Sequence, residues 1–247
     1  MRILVAILLL GGCGRFGFDA IATERGLDSG LDSGLDLGLL GYWPFEEGSG
    51  FVTADHSPSN IEGTLMGGVS FVSGKFGRGL AFDGIDGEVV IDDPAGVLDV
   101  GTGTFTYSIW VNESMAVAGY QFGWWRGGSS STYPGYDFEV NAGGAWSAEL
   151  SDGIQPLANA QLGPAALGSW ILLTAVVDRT AQTETTYRDG AMVDTRDIST
   201  LGSLSSSNPG TVGGGVSVSY SFHGAVDEVR VYNRALTPDE VAALYVP

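Results

Sequence analysis

The sequence is poor in the residues on which several classes of protein depend. Its 247 residues include one cysteine and two histidines, which excludes a disulfide framework, a thiolate zinc site and a three-histidine metal centre. Basic residues are also scarce, because 11 Lys and Arg stand against 29 Asp and Glu for a formal charge of -18. Phosphate binding needs clustered basic side chains, so we expect no nucleic-acid partner.

An apolar run long enough to cross a membrane is missing near the N-terminus. The unbroken apolar run at residues 3–10 follows the basic residue Arg2 and has eight residues, whereas a transmembrane helix needs about 20. A basic start followed by a short apolar run and small residues is typical of a signal peptide. We therefore expect residues 1–12 to be removed as a signal.

The residues after this run resemble a bacterial lipobox, in which a cysteine receives lipid and becomes the mature N-terminus. The sequence Leu10-Gly11-Gly12-Cys13 carries the resemblance, and Cys13 is the only cysteine in the chain. Ordinary secretory cleavage nearby, giving a secreted protein, is the alternative. Gly14 stands where inner-membrane lipoproteins usually have Asp, so we expect lipid anchoring through Cys13 at the outer membrane of a bacterial cell envelope.

A short repeat separates this N-terminus from the rest of the chain. GLDS, GLDS and GLDL follow one another at residues 26–37. Glycine at every fourth position opposes a helix, and the Asp and Ser residues keep the segment solvated. Residues 13–39 are predicted to be a flexible tether, with a calcium-binding repeat as the alternative.

From residue 40 the sequence has the pattern of an all-β domain that extends to residue 247. Short runs rich in β-branched and aromatic residues alternate with glycine and polar turns. The predicted strands are residues 41–46, 79–83, 87–91, 105–112, 120–126, 136–141, 146–150, 170–178, 183–188 and 222–232. Thr237 can cap a short C-terminal helix, since Pro238 and Glu240 complete a capping box. Strands without βα repetition predict a sandwich of two antiparallel sheets or a jelly roll.

A series of motifs in this domain resembles bacterial LamG-like jelly-roll domains. They are GYWPFEEGSG at residues 41–50, DHSPSNIEGTL at 55–65, KFGRGLAFDG at 75–84, FTYSIWV at 105–111, YRDG at 187–190 and GAVDEVRVYNRAL at 224–236. They occur in the family's order along the whole domain. The resemblance implies a concanavalin A-like sandwich.

The same superfamily includes laminarinase-type glycoside hydrolases, whose catalytic acids alternate along one strand. Retaining hydrolysis needs two carboxyl groups about 5 to 5.5 Å apart. Neither Glu-x-Asp-x-x-Glu nor Glu-x-Asp-x-Glu occurs. Asp137 and Glu139 share one strand face without a third acid on that strand, and a Gly-x-Ser-x-Gly elbow is also absent. We therefore expect no catalytic activity, and a glycan-degrading enzyme is the less favoured alternative.

The resemblance implies a structural calcium ion that joins the first and last strands. Asp227 matches the position of the late aspartate ligand, with Glu46 and carbonyl groups near Gly84 as co-ligands. An arginine or several backbone amides would be equally suitable partners for a buried Asp227. Asp55 begins a possible second site, although an Asx-turn explains its loop as well.

Aromatic residues near the middle of the chain are the best candidates for a ligand site. Sugar-binding modules stack aromatic rings on pyranose faces, and residues 124–136 combine aromatics, a cation and a polar loop. We expect Trp125, Arg126, Tyr133 and Trp146 to bind a ligand, unless these residues merely cover a sheet edge. Trp43, Trp110 and Trp170 are expected in the core.

Two hypotheses on function follow. The first is a non-catalytic, monomeric recognition module at the cell envelope that binds a glycan or a surface protein. The second is a structural or spacer domain without a ligand. An exposed aromatic patch at Trp125, Tyr133 and Trp146 would favour the first hypothesis.

Overall fold

A computed structural model of the chain describes residues 34–115, 119–128, 133–154, 156–215 and 220–246. These residues form two antiparallel eight-stranded sheets that pack face to face, with one short helix near the C-terminus. The predicted all-β sandwich with a C-terminal helix is thus confirmed. No helix among the described residues combines the length and the apolar character that a membrane span requires.

Sheet 1 contains the first and last strands of the domain. Its strands are β1 (Leu39–Trp43), β4 (Val69–Ser73), β5 (Arg78–Asp83), β7 (Phe105–Glu113), β12 (Ile171–Asp178), β13 (Thr183–Arg188), β14 (Ala191–Asp197) and β16 (His223–Tyr232). They lie in the order β14-β13-β12-β7-β16-β5-β4, and β1 also pairs with β16.

Sheet 2 contains the strands that carry three of the predicted ligand residues, Trp125, Arg126 and Trp146. Its strands are β2 (Val52–Thr53), β3 (Gly63–Met66), β6 (Glu88–Ile91), β8 (Gln121–Arg126), β9 (Gly135–Val140), β10 (Ala145–Ser151), β11 (Pro156–Pro164) and β15 (Gly210–Val212). They lie in the order β11-β10-β9-β8-β15-β6-β3-β2.

The core lies between the two sheets and follows the two-residue period of the strands. In β7, Phe105, Tyr107, Ile109 and Val111 all face this core, as the alternation in the sequence predicts. Aromatic rings continue across it, and Tyr107 lies 4.3 Å from Phe138 between ring centroids. Burial of each such side chain stabilises the fold by about 1.5–3 kcal/mol.

The helix α1 (Pro238–Tyr245) covers the outer face of sheet 1. Val241 and Leu244 are buried against Trp110, Leu172 and other apolar residues of that face. The predicted capping box is present, since Thr237 accepts from the Glu240 amide and the Glu240 side chain accepts from Thr237. The helix therefore covers the part of the outer face of sheet 1 that is formed by β7, β12 and β16.

Residues 34–39, the last part of the predicted tether segment, pack on the sandwich. The Arg234 guanidinium donates to the carbonyl groups of Gly34 and Leu37, both at 2.7 Å. Strand β1 then begins at Leu39. The folded unit therefore includes the residues immediately before residue 40.

Candidate functional site

Trp146 does not present a ring to solvent. It lies opposite Val140 and Gly163 in the register of sheet 2, on the side that faces the core. The side chain is 0% exposed and makes an edge contact with Phe222 at 5.8 Å between ring centroids. The prediction of Trp146 as a ligand residue must be corrected, because the alternation of side chains along β10 directs Trp146 into the core.

Trp125 lies on the other side of sheet 2 from Trp124. Trp124 stacks on Trp43 in the core at 6.0 Å between centroids. Trp125 lies opposite Asp137 and Thr211 in the neighbouring strands. Because it directly follows Trp124 on β8, its side chain points to the opposite face, away from the core. However, it is only 4% exposed. The two predicted tryptophans therefore do not form an exposed aromatic platform.

Arg126, the third predicted residue, ends β8 in a buried ion pair. Its Nη2 lies 3.1 Å from Oδ2 of Asp93, and the side chains are 3% and 1% exposed, respectively. Nη2 also lies 3.5 Å from the carbonyl oxygen of Ser206. Nη1 is buried and has no hydrogen-bond partner in the described part of the chain.

Asp93 holds the loop that faces Arg126. Its two carboxylate oxygens accept from the backbone amides of Val97 at 2.9 Å and Leu98 at 2.7 Å. Asp93 is therefore bound by three donors when the guanidinium is included, which is the usual requirement for a buried carboxylate. These bonds fix the loop and orient the arginine together.

Arg126 lines a cleft at this end of the sandwich. The cleft has a volume of about 430 Å³ and is bounded by residues 94–96 and 205–207 together with Asp93, Asp99 and Arg126. Its walls therefore carry one guanidinium, two carboxylates and three serine hydroxyl groups. Such a set can donate and accept hydrogen bonds around a polar molecule.

Tyr133, the fourth predicted residue, is 39% exposed and is not one of the residues that line the cleft. Its carbonyl oxygen accepts from the Gly128 amide at 3.0 Å. Gly127, with a φ of +75°, lies against the carbonyl of Pro134 and near the Ser206 hydroxyl, so a side chain there would collide with Pro134. The structure thus brings Arg126 and the Tyr133 segment together, and leaves both tryptophans buried.

Asp93, Asp99 and the serines of the cleft had no signal in the sequence. They lie in loops that are more than 100 residues apart along the chain. Only the pairing of β15 between β6 and β8 brings those loops to the end of β8. Sequence reasoning found Arg126 and missed the other walls, because it had no access to strand order.

Asp227, the predicted calcium ligand, is fully buried in sheet 1. Its Oδ2 accepts from the Phe76 amide at 2.9 Å. Burial raises the pKa of Asp227 to about 7, and the backbone donor opposes that rise. The sequence left calcium, an arginine and backbone amides open as partners of Asp227. In the structure a backbone amide is one of its partners.

Of the predicted calcium co-ligands, Glu46 lies at the same end of β5 as Asp227, whereas Gly84 lies at the other end, and Asp55 belongs to the separate second site. Glu46 accepts from the Arg78 amide at one end of β5, whereas Gly84 follows the other end and lies against His223. Asp55 accepts from the amides of Tyr42, Ser57 and Ile61 in its own loop, as an Asx-turn would. Gly84 and Asp55 therefore do not contribute to a site at Asp227.

Sheet 2 carries a different group of acids that the sequence only half indicates. Asp137 and Glu139 share a face of β9, and Glu149 of β10 lies directly opposite Asp137 on that face. All three are buried, and one carboxylate oxygen from each lies within 4.8 Å of the others. The third acid absent from the strand of Asp137 is thus supplied by the neighbouring strand. We call these residues the acid trio.

Burial favours the protonated form of two members of the acid trio. Burial raises the pKa of Glu139 to about 7, and the nearby Glu149 charge adds to the rise. Burial also raises the pKa of Glu149. A carboxyl group with the pKa of Glu139 can exchange protons near pH 7.

A protein-family model places the chain among known relatives. The model Laminin_G_3, described as the concanavalin A-like lectin/glucanases superfamily, matches residues 83–242. No curated protein matches the chain.

Solved structures with the same fold include binding domains. The binding domain of Paraclostridial Mosquitocidal Protein 1 has a TM-score of 0.69 and 15% identity over 84% of this chain and 52% of that chain. The botulinum neurotoxin serotype D ligand binding domain, in complex with N-acetylneuraminic acid, has a TM-score of 0.69 and 10% identity over 85% and 51%. The chain spans about half the length of these toxin domains.

One similar structure is a single domain that the match covers along nearly the whole of the domain's own length. Domain 4 of AbnA, a GH43 extracellular arabinanase from Geobacillus stearothermophilus in complex with arabinotriose, has a TM-score of 0.65 and 17% identity. The match covers 84% of this chain and 98% of that domain. At such identities the similarity establishes the fold, and function has to be argued from the site.

Proposed function

The chain belongs to the concanavalin A-like lectin/glucanases superfamily, and on this basis we propose that it is a non-catalytic recognition module that binds carbohydrate in the cleft at Arg126. The cleft volume of about 430 Å³ falls in the range of about 300–1,000 Å³ of small-molecule sites. The observation that carries the proposal is the buried Arg126 with an Nη1 that lacks a partner in the described structure. A ligand oxygen would satisfy this donor.

The walls of the cleft match the chemistry of a sugar better than that of an apolar ligand. Sugar hydroxyl groups both donate and accept hydrogen bonds, and the cleft offers the Arg126 donor, the Asp99 acceptor and serine hydroxyls. Two structures with the same fold contain arabinotriose or N-acetylneuraminic acid. These complexes support a saccharide as the ligand class for this chain.

Filling the cleft tests the proposal. Ala95 is exposed and lines the cleft, so Ala95→Trp should weaken binding of any saccharide found on a glycan array by at least about tenfold. Ala191→Trp, at an exposed alanine that begins β14, is the matched control and should bind as wild type. Both variants should melt at the wild-type temperature. Equal binding by both variants would contradict the cleft as the binding site, and no binding by wild type would favour the spacer hypothesis.

Hydrolysis of a glycan is the second candidate function, and the acid trio is the observation that favours it. Its three carboxyl groups are close enough for acid–base chemistry, and Glu139 has a pKa of about 7. The recognition proposal predicts no release of reducing sugar from polysaccharides. Release that disappears in Glu139→Gln but persists in Ala191→Trp would replace the binding proposal with the enzymatic one.

Lipid anchoring at the cell envelope completes the proposed role. Cys13 and residues 1–12 lie outside the described residues, so the proposal depends on the lipobox-like sequence alone. A lipid on Cys13 would hold the module at a bacterial outer membrane. Labelled palmitate should enter the wild-type protein and not Cys13→Ala, and equal labelling would contradict the anchor.

A structural calcium ion remains a proposal at Asp227, with Glu46 as the co-ligand at the same end of β5. Asp227 already accepts a backbone hydrogen bond, so the contribution of calcium must be measured. If the ion binds there, a chelator lowers the melting temperature of wild type and leaves that of Asp227→Asn unchanged. Equal shifts in the two proteins would contradict the site.

A further inference from the structure

The charges of the Arg126 cleft nearly cancel and leave a small negative excess. Among the described residues that line it, the ionisable ones are Arg126, Asp93 and Asp99. Arg126 and Asp93 form a buried pair at 3.1 Å, and both side chains are almost inaccessible to water. The carboxylate of Asp99 is the remaining charge, and it lies on an exposed residue of the cleft wall.

The cleft lacks a spare positive charge for an anionic ligand. Asp93 binds the Nη2 group of Arg126, so the donor of the guanidinium that is left without a partner among the described residues is the buried Nη1 at the cleft wall. A hydroxyl oxygen satisfies such a donor without bringing a second negative charge beside Asp93. A carboxylate ligand would compete with Asp93 for one guanidinium and would face Asp99 as well.

The charge of the rest of the domain also disfavours an anionic ligand. From residue 40 onward the sequence has 24 acidic and 8 basic residues, so the surrounding field repels anions. The three serines of residues 205–207 offer neutral hydroxyl groups on the remaining wall. Ser206 is held by the Asn208 amide, which donates to its Oγ at 3.2 Å.

We propose that the Arg126 cleft selects uncharged saccharide units and discriminates against uronic acids and other anionic sugars. This inference depends on the proposed function, since it assumes that the cleft binds saccharide. Asp93 and Asp99 are the residues that determine the specificity. Arg126 supplies the hydrogen-bond donor that both kinds of sugar would use.

Matched pairs of oligosaccharides test the selectivity. The probes are trisaccharides of glucose, galactose and mannose, each paired with the corresponding uronic-acid trisaccharide, and affinity is measured by calorimetry at low and high salt. Wild type should bind a neutral member at least about tenfold more tightly than its acidic partner. In Asp99→Asn this ratio should fall to about threefold or less. Asp239→Asn, at an exposed acid of α1, should keep the wild-type ratio.

The outcomes separate the selectivity from the site. Acidic members that bind as tightly as their neutral partners, or a ratio unchanged in Asp99→Asn, would overturn the selectivity and leave the proposed function standing. Neutral binding that survives in Ala95→Trp would overturn the cleft as the site. Absence of binding to every member of the panel would count against both proposals.

Discussion

Glu184 is an acid that is buried in the core of the sandwich. It lies on β13 opposite Val177, so it faces the core, and it is 0% exposed. Arg196 is its cross-strand neighbour but donates to Asp194 at 2.8 Å. Neither Glu184 oxygen has a hydrogen-bond partner in the described part of the chain. Burial, followed by the charges of Asp194 and Glu149, raises the pKa of Glu184 well above its ordinary value.

Replacing this acid with its neutral isostere should therefore stabilise the fold. When a carboxyl group stays protonated in the folded state above its ordinary pKa, the free energy of unfolding falls by about 1.4 kcal/mol for each pH unit above that pKa. Glu184→Gln should thus raise the free energy of unfolding at pH 7 by up to about 3 kcal/mol, measured by urea denaturation. The gain should disappear near pH 4, where the acid is protonated in both states. Glu62→Gln, at an exposed acid, is the control, and a destabilised Glu184→Gln at pH 7 would contradict the account.

At the scale of elements, the sequence predicts the longer strands that are rich in apolar and aromatic residues and misses several short or exposed ones. Strand β13 (Thr183–Arg188) has the predicted bounds. Its neighbour β14 is exposed along almost its whole length, so it lacks an apolar face to detect. Strand β11 contains proline, glycine and small polar residues at the edge of sheet 2. The strand β15 has only three residues, yet it sets the order that builds the Arg126 cleft.

The acid trio shows the same limit within the site. Asp137 and Glu139 share a face because they are two residues apart on one strand, which the sequence alone predicts. Glu149 joins them only through the register between β9 and β10. Register depends on the turn between the strands and on packing against the other sheet. Local patterns therefore indicate which face a residue occupies, but not which residues of other strands share it.

The C-terminal helix is an element that local chemistry does specify, and its cap offers a direct test. Thr237 Oγ1 accepts from the Glu240 amide, and the Glu240 carboxylate accepts from the Thr237 amide at 2.8 Å. Thr237→Ala should lower the free energy of unfolding by about 1 kcal/mol. Thr180→Ala, at an exposed turn residue, is the control. Chemical denaturation measures both, and equal stability of the two variants would contradict a contribution from the cap.

At the scale of the whole molecule, the acidic residues fall into two groups with opposite pH dependence. Burial raises the pKa of Glu139 and Asp227 to about 7 and also raises that of Glu113. Hydrogen bonds lower the pKa of others, and Glu240, beside Arg234, has a pKa of about 2. The first group stabilises the fold below pH 4 and loses that contribution as the pH rises towards 7. The second group loses its contribution as the pH falls below 4.

Thermal stability should therefore be highest near pH 5 and should fall between pH 5 and pH 8. The formal charge of -18 adds repulsion in the same direction, but 0.5 M salt screens that part and leaves the buried carboxyls largely unaffected. Melting curves from pH 3 to pH 9 at both salt concentrations separate the two causes. The double variant Glu139→Gln, Asp227→Asn should flatten the decline that persists in high salt. A melting temperature that rises from pH 5 to pH 8 would contradict this prediction. It would mean that the buried carboxyl groups ionise without destabilising the fold, and hence that burial does not raise their pKa.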